Sequence, residues 1–134
     1  MAIKNTPFNG TTDKKSVCPT LTILNVYAPS DSTDRTCFFT QLETSLTHLD
    51  FNGFVCFGGD FNCRMDSAID RNGKEPHPAS IMPLARTLTT FSLIDIWRTC
   101  NPSTRQYTWC RCFDGCLSLT RLDRFYINDD FLIL

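Results

Sequence analysis

The sequence predicts a mixed α/β fold, and three observations carry that prediction. Short β-rich apolar runs alternate with runs of helical periodicity, a hairpin signal comes after them, and 134 residues that are 42% hydrophobic and 12% aromatic suffice for one packed domain. A folded chain of this length hides roughly two thirds of its unfolded surface.

Each element has its own warrant. Met1 to Lys15 is polar, and Asn5-Thr6-Pro7 with Asn9-Gly10 reads as a flexible lead or a remnant at a sheet edge, set apart as a segment over 1–20. Leu21 to Tyr27 is apolar and β-rich with little polar alternation, which predicts an internal strand covered on both faces. Asp31-Ser32-Thr33-Asp34 supplies capping residues before Phe38, Leu42, Leu46 and Leu49, whose spacing predicts an amphipathic helix.

Phe54 to Phe57 is a buried strand that empties into Gly58-Gly59. A polar loop spans Asp66 to Pro78, and Ile81, Leu84, Ala85, Leu88 and Phe91 mark a second amphipathic helix. Leu93 to Arg98, Tyr107 to Cys112 and Leu117 to Asn128 read as strands, the last two joined through Phe113-Asp114-Gly115 as a hairpin. Asp129 to Leu134 ends on a bare apolar run, the expected start of an element whose partners lie outside the chain.

Composition narrows the function classes. A formal charge of −1 gives no bulk attraction to polyanions, so nucleic-acid binding requires a local basic face, for which Arg64, Arg71, Arg98, Arg105, Arg111, Arg121 and Arg124 are the candidates. No run approaches the ~20 apolar residues that span a membrane, and no secretory leader follows Met1. The eight cysteines therefore read as reduced thiols, and Asn9-Gly10-Thr11 as a loop rather than a glycosylation site. Cys100, Cys110, Cys112 and Cys116 invite a zinc reading, but they lack paired C-x2-C knuckles and alternate as strand residues do.

The chemistry-bearing segment is Gly58-Gly59-Asp60-Phe61-Asn62. An acid and an amide two residues apart point the same way from the end of a rigid strand. Asp60 offers a charged acceptor to a water or a metal, and Asn62 offers donor and acceptor to a phosphate oxygen or that same water. Glycines there let the backbone turn and a bulky substrate approach. The plain alternative is an Asx-type turn closing a strand.

Three further segments fall in a recognisable order around it: Leu21 through Pro29, Leu93 through Arg98 with Tyr107-Thr108-Trp109, and Arg121-Leu122-Asp123-Arg124-Phe125-Tyr126. Together they resemble the endonuclease/exonuclease/phosphatase family, and within it the apurinic-type endonuclease domain of non-LTR, LINE-like retrotransposons. The resemblance covers about Leu21 to the C-terminus. It implies a four-layer sandwich, two central mixed sheets flanked by helices, and a chain that is the central part of such a domain. The family's N-terminal Asn and Glu motifs and its C-terminal Ser-Asp-His motif have no counterpart here, and its Tyr-x-Pro-Asn becomes Tyr27-Ala28-Pro29-Ser30.

By that resemblance Asp60 orients or deprotonates the attacking water, Asn62 steadies it against the phosphate, Tyr27 contacts the scissile phosphate and Asp123 orients a catalytic His. Thr108 matches a position that faces DNA, and Arg64 and Arg121 are expected to face DNA with it. Trp97 and Trp109 are expected in the core. His48 and His77 match no family histidine, and Asp13 does not match the metal-binding Glu. Mg2+ is the implied cofactor, held weakly by Asp60 and Asn62 alone. DNA is the implied partner, with a reverse transcriptase in the same parent polyprotein; the expected location is nuclear, and the oligomeric state is open. The expected function is part of a Mg2+-dependent DNA endonuclease that primes reverse transcription, inactive by itself. The alternatives are a non-catalytic nucleic-acid-binding remnant, another phosphoesterase of the same fold such as a sphingomyelinase or inositol phosphatase, and a zinc-binding module.

Overall fold

The computed structural model describes residues 2–6, 20–49, 51, 53–72 and 79–128. These form two sheets and three helices, a mixed α/β architecture. The larger sheet has five strands: β1 (Ala2–Thr6), β2 (Thr20–Tyr27), β3 (Gly53–Asp60), β4 (Leu93–Asp95) and β7 (Asp123–Asn128), in the order β1-β2-β3-β7-β4. The smaller sheet is an antiparallel hairpin of β5 (Trp109–Phe113) and β6 (Cys116–Thr120). The apolar tail, Asn9, Asp13, Cys18 and His77 lie outside the described residues.

Among the described strands only β2 and β3 pair in parallel, which requires a crossover, and α1 (Ser32–Leu46) supplies it. A second crossover through α2 (Ile81–Thr90) leads from β3 to β4 in the same direction across the sheet. Right-handed connections then put both helices on one face, where α1 and α2 pack together.

The face under the helices is the core. Leu24 and Val26 of β2, Val55 and Phe57 of β3, and Tyr126 of β7 meet Phe39, Leu42 and Leu46 of α1 and Leu84 and Leu88 of α2. Phe38 and Leu49 pack on its margin, so the helical stripe is centred one residue later than the periodicity implied. Asp31 caps α1, accepting from the amides of Thr33 at 2.8 Å and Asp34 at 3.0 Å, and these bonds lower its pKa.

The opposite face is open among the described residues. Ile23 is 44% exposed and Phe125 60%, so β2 alternates buried and exposed positions instead of being covered on both faces. Two other elements depart from expectation, while the hairpin forms where it was expected. Leu93 to Arg98 is a short strand followed by helix α3 (Ile96–Cys100), because the Asp95 carboxylate accepts from the Arg98 amide at 3.0 Å and caps a new turn. Leu117 to Asn128 is two strands in different sheets, broken at Arg121 and Leu122. Asp114 and Gly115 form the hairpin turn with φ of 48° and 74°, the paired positive values of a type I′ turn, which an Asp-Gly pair favours.

Candidate active site

The Gly-Gly-Asp-Phe-Asn segment is built around Phe61. Its ring is fully buried, stacked on Phe39 at 6.4 Å and edge-on to Tyr126 at 5.0 Å, so the residues on either side are held at the strand exit. The two glycines lie inside β3 rather than forming a turn, a correction with a steric cause. A Cβ on Gly59, at φ 139°, would come within 2.0 Å of the Val26 carbonyl oxygen, and one on Gly58 would meet the Phe125 ring at 2.6 Å. At Gly59 close approach of main chain, not of a substrate, requires glycine; at Gly58 a side chain would displace the exposed Phe125 ring.

Register sets the geometry. Tyr27 pairs with Asp60 across β2 and β3, and Asp60 pairs with Asp123 across β3 and β7. Three residues far apart in sequence thus stand in one row at one end of the sheet, on its open face. Strand spacing puts the outer two about 10 Å apart. Tyr27 is 78% exposed.

Asn62 joins the row. Its φ of 45° is left-handed, which Asn tolerates. Its amide nitrogen donates to the Ala28 carbonyl at 2.7 Å, leaving the amide oxygen as the acceptor. Its backbone N–H donates to Asp60 Oδ1 at 2.8 Å. The Asx turn weighed as an alternative is therefore present, and it is the device that fixes the acid against the amide.

The basic residues divide. Arg121, expected at a DNA surface, is instead buried at 4% exposure: Nε donates to Asp70 Oδ1 at 3.0 Å and the fork reaches the Asp95 carboxylate. Arg64 is likewise withdrawn, at 8% exposure. Arg124, fully buried, donates to Asp70 Oδ2 at 3.0 Å and to the Cys63 carbonyl. Arg98 donates to Asp70 Oδ1 at 2.8 Å. Asp123, flanked by Arg121 and Arg124 in sequence, pairs with neither, because their guanidiniums serve Asp70 and Asp95 on the other side of β7.

Asp70 thus sits at the centre of a buried knot of three arginines and two aspartates, and it also accepts from the Met65 and Asp66 amides. Burial pushes its pKa up, but the charge of Arg124, a backbone hydrogen bond and Arg121 outweigh this and hold the carboxyl well below the usual range. The knot ties the loop carrying Asn62 to the strand carrying Asp123. Sequence reading treated Asp70 as part of a polar loop. Arg35 was also missed: it is buried on the same side of α1 as Phe39, Leu42 and Leu46, donating to Ser80 Oγ at 2.9 Å and to the carbonyls of Pro29 and Ser30, which fixes the exit from β2.

Thr108 sits at the hairpin root, and its hydroxyl oxygen accepts from the Leu122 and Asp123 amides at 3.0 and 3.1 Å. Trp109 is 41% exposed and outside the core, because its hairpin is open to solvent. Trp97 is half-buried between the guanidiniums of Arg98 and Arg121, at 5.0 and 5.1 Å, rather than in the apolar core. His48 lies on the surface just after α1. Cys110 and Cys112 lie on one face of β5, while Cys116 pairs with Phe113 on the other, and no group of three or more metal-ligating side chains is gathered among the described residues.

For a hard cation the donors present are the oxygens of Asp60, Asp123 and Asn62. The two carboxylates occupy paired positions on adjacent strands. Mg2+ is commonly held by one or two carboxylates together with water and substrate phosphate, and this oxygen set fits that chemistry.

The comparisons bear on this geometry. The chain superposes on the AP endonuclease from Archaeoglobus fulgidus with a TM-score of 0.65 at 20% identity, covering 81% of this chain and 49% of that one. It matches the endonuclease domain of TRAS1, a telomere-specific non-LTR retrotransposon, with a TM-score of 0.57 at 19% identity, covering 91% and 50%. The chain has the endonuclease/exonuclease/phosphatase fold. The APE2 catalytic domain of Xenopus laevis shares the fold as well, with a TM-score of 0.61 at 23% identity over 86% of this chain and 42% of that one. In sequence the chain is 38% identical over 109 residues to the transposon TX1 uncharacterized 149 kDa protein of Xenopus laevis, which spans 81% of this chain but 8% of that protein. No family model matches. The chain therefore spans about half of the solved domains it resembles and a small part of its transposon relative. No described helix is long and apolar enough to cross a membrane.

Proposed function

We propose that this chain is part of the DNA endonuclease domain of a non-LTR retrotransposon, which hydrolyses one phosphodiester with Mg2+ and so supplies the end from which reverse transcription starts. The observation that carries the reading is the row Tyr27, Asp60, Asp123 with Asn62 locked beside it. The shared fold and the transposon relative support it.

The chain's own groups divide the work. Asp60, aimed by the Asn62 amide, accepts a proton from the attacking water or orients it, and the Asn62 side-chain oxygen holds that water in line. Tyr27 presents its phenol to a phosphate oxygen, and Asp123 is placed to orient an imidazole or a second water. Bound Mg2+ would neutralise phosphate charge beside Asp60 and Asn62. Tyr27, Asp60, Asn62 and Asp123 are the groups this chain contributes to the catalytic unit.

The test is nicking of supercoiled plasmid in Mg2+. The chain alone is expected to nick poorly. Spliced in place of the matching segment of the TRAS1 endonuclease domain, it should nick, and Asp60→Ala in that splice should lower the rate by about three orders of magnitude or more. Robust Mg2+-dependent nicking by the unspliced chain, or an active splice indifferent to Asp60→Ala, would overturn the assignment of roles.

A further inference from the structure

Asn62 can hold a water through its amide oxygen only if its amide is turned the right way, and the residues that decide this lie behind it. The Ala28 carbonyl can only accept, so the hydrogen bond it takes from Asn62 Nδ2 at 2.7 Å leaves the amide oxygen as the group offered to the water. Ala28 is fully buried, and its own N–H donates to the Asp60 carbonyl at 2.9 Å. Whatever holds Ala28 therefore aims Asn62.

The segment that follows Ala28 is held by Arg35 of α1. Pro29 has no N–H, so the exit from β2 cannot be secured through a donor there and is secured through carbonyls instead. Arg35 Nη1 donates to the Pro29 carbonyl at 3.2 Å and to the Ser30 carbonyl at 2.6 Å, while Nε donates to Ser80 Oγ at 2.9 Å. Ser80, fully buried at the N-cap of α2, makes no side-chain cap bond, and its hydroxyl oxygen serves Arg35 instead. That oxygen also lies 3.5 Å from the sulfur of buried Cys63, the residue next to Asn62, and the Cys63 carbonyl accepts from Arg124. The contacts close a ring that leaves Asn62 through Ala28 and returns to it through Cys63.

A buried guanidinium is costly, and every hydrogen bond this one makes among the described residues goes to a neutral oxygen, so charge pairing does not account for it. An apolar side chain in line with Phe39 and Leu42 would cost less. We propose that Arg35 is a positioning residue for the phosphodiester hydrolysis: it fixes the Ala28 carbonyl, and with it the amide plane of Asn62, while touching neither substrate nor water itself. Its consequence for rate rests on the function proposed above; the coupling of Arg35 to Asn62 does not.

The coupling is read first without any reaction. In the 15N-labelled 134-residue chain, the Asn62 side-chain NH2 signals are identified by their loss in Asn62→Asp, and their hydrogen exchange with solvent is timed by NMR. Arg35→Met, which keeps length and loses every donor, should speed that exchange roughly tenfold while circular dichroism keeps the helical signal. In the splice described above, the same substitution should lower kcat about a hundredfold and leave KM for DNA within about twofold, as expected for misplacing a reacting group by about 1 Å. Arg35→Lys, which keeps a cationic donor for the two carbonyls, should recover about half of that loss on a logarithmic scale. In an Asn62→Ala background, Arg35→Met should cost almost nothing more, because both substitutions remove one function. An arginine that only braces the fold would lower the rate equally in both backgrounds. Unchanged Asn62 exchange in folded Arg35→Met, or equal losses of kcat in the two backgrounds, would overturn the role of Arg35. If Arg35→Met does not fold, Ser80→Ala, which removes the second anchor of the guanidinium, carries the same test: exchange roughly threefold faster supports the coupling, and unchanged exchange overturns it. A splice indifferent to Asp60→Ala refutes the catalytic roles, while faster Asn62 exchange in Arg35→Met still supports the coupling. An Asp60-dependent splice that ignores Arg35→Met refutes the positioning role alone.

Discussion

The five-stranded sheet and the β5–β6 hairpin are built by opposite means. Between the sheet and its helices, Phe39, Phe57, Phe61, Leu24 and Leu46 are all at 1% exposure or below, and a knot of five ionised side chains locks β7 to the loop after β3. In the hairpin every residue from Trp109 to Leu117 is exposed, and attachment runs through Thr108, Arg71 and the side chain of Asn72, which bonds the Leu117 carbonyl and the Leu119 amide. One region is held by what its side chains bury, the other by a few hydrogen bonds at its root and along β6. The site row belongs to the first, so its geometry is fixed by folding; the hairpin belongs to the second, so its side chains are available for contact.

The sharpest way to break this contrast is at Asp70. Asp70→Asn removes the anion shared by Arg98, Arg121 and Arg124 and leaves Asp95 as the one carboxylate of the knot against three guanidiniums, at an expected cost of about 3–5 kcal/mol. Denaturant unfolding measures it, and a loss under 1 kcal/mol would show that the knot is not what secures β7.

A smaller effect comes from acid. The folded-state pKa of Asp70 is depressed, so its contribution is fully present above the unfolded value of about 3.9 and disappears as pH falls below it. Stability should therefore drop below about pH 4, with a flatter profile in Asp70→Asn. Parallel profiles would assign the acid sensitivity to other carboxylates.

Least of all should change at the hairpin. Phe113→Ser, at a position 66% exposed, should alter unfolding free energy by no more than about 0.5 kcal/mol. A cost above 1.5 kcal/mol would mean that Phe113 is packed into the fold, and the contrast between the two regions would narrow.

What the sequence made legible follows the same division. Periodicity located α1 and α2 because each presents one apolar face, a short apolar run located β3, and the capping residue Asp31 performs as its position implied. The row of Tyr27, Asp60 and Asp123 was legible only through motif order, since register across three strands is set by non-local pairing that no local pattern encodes. The knot was illegible for a related reason: Asp70 and Arg35 read as loop and helix-surface polarity, and only their distant partners show them to be buried. Arg121 and Arg124 were misplaced by the same reasoning, a charged residue being taken as a solvent-facing one. Trp109 erred in the other direction, because aromatic bulk suggested burial while its hairpin offers none.

The grip of Asn72 has an evolutionary consequence. It reads only the main chain of β6, and the Asp114-Gly115 turn needs only its own two residues, so the outward side chains of the hairpin carry almost no duty to the rest of the molecule. Descendants of this chain can exchange Trp109, Arg111 and Phe113 by single mutations without losing foldedness. Divergence in what the chain touches is thereby uncoupled from the inheritance of Asp60 and its neighbours.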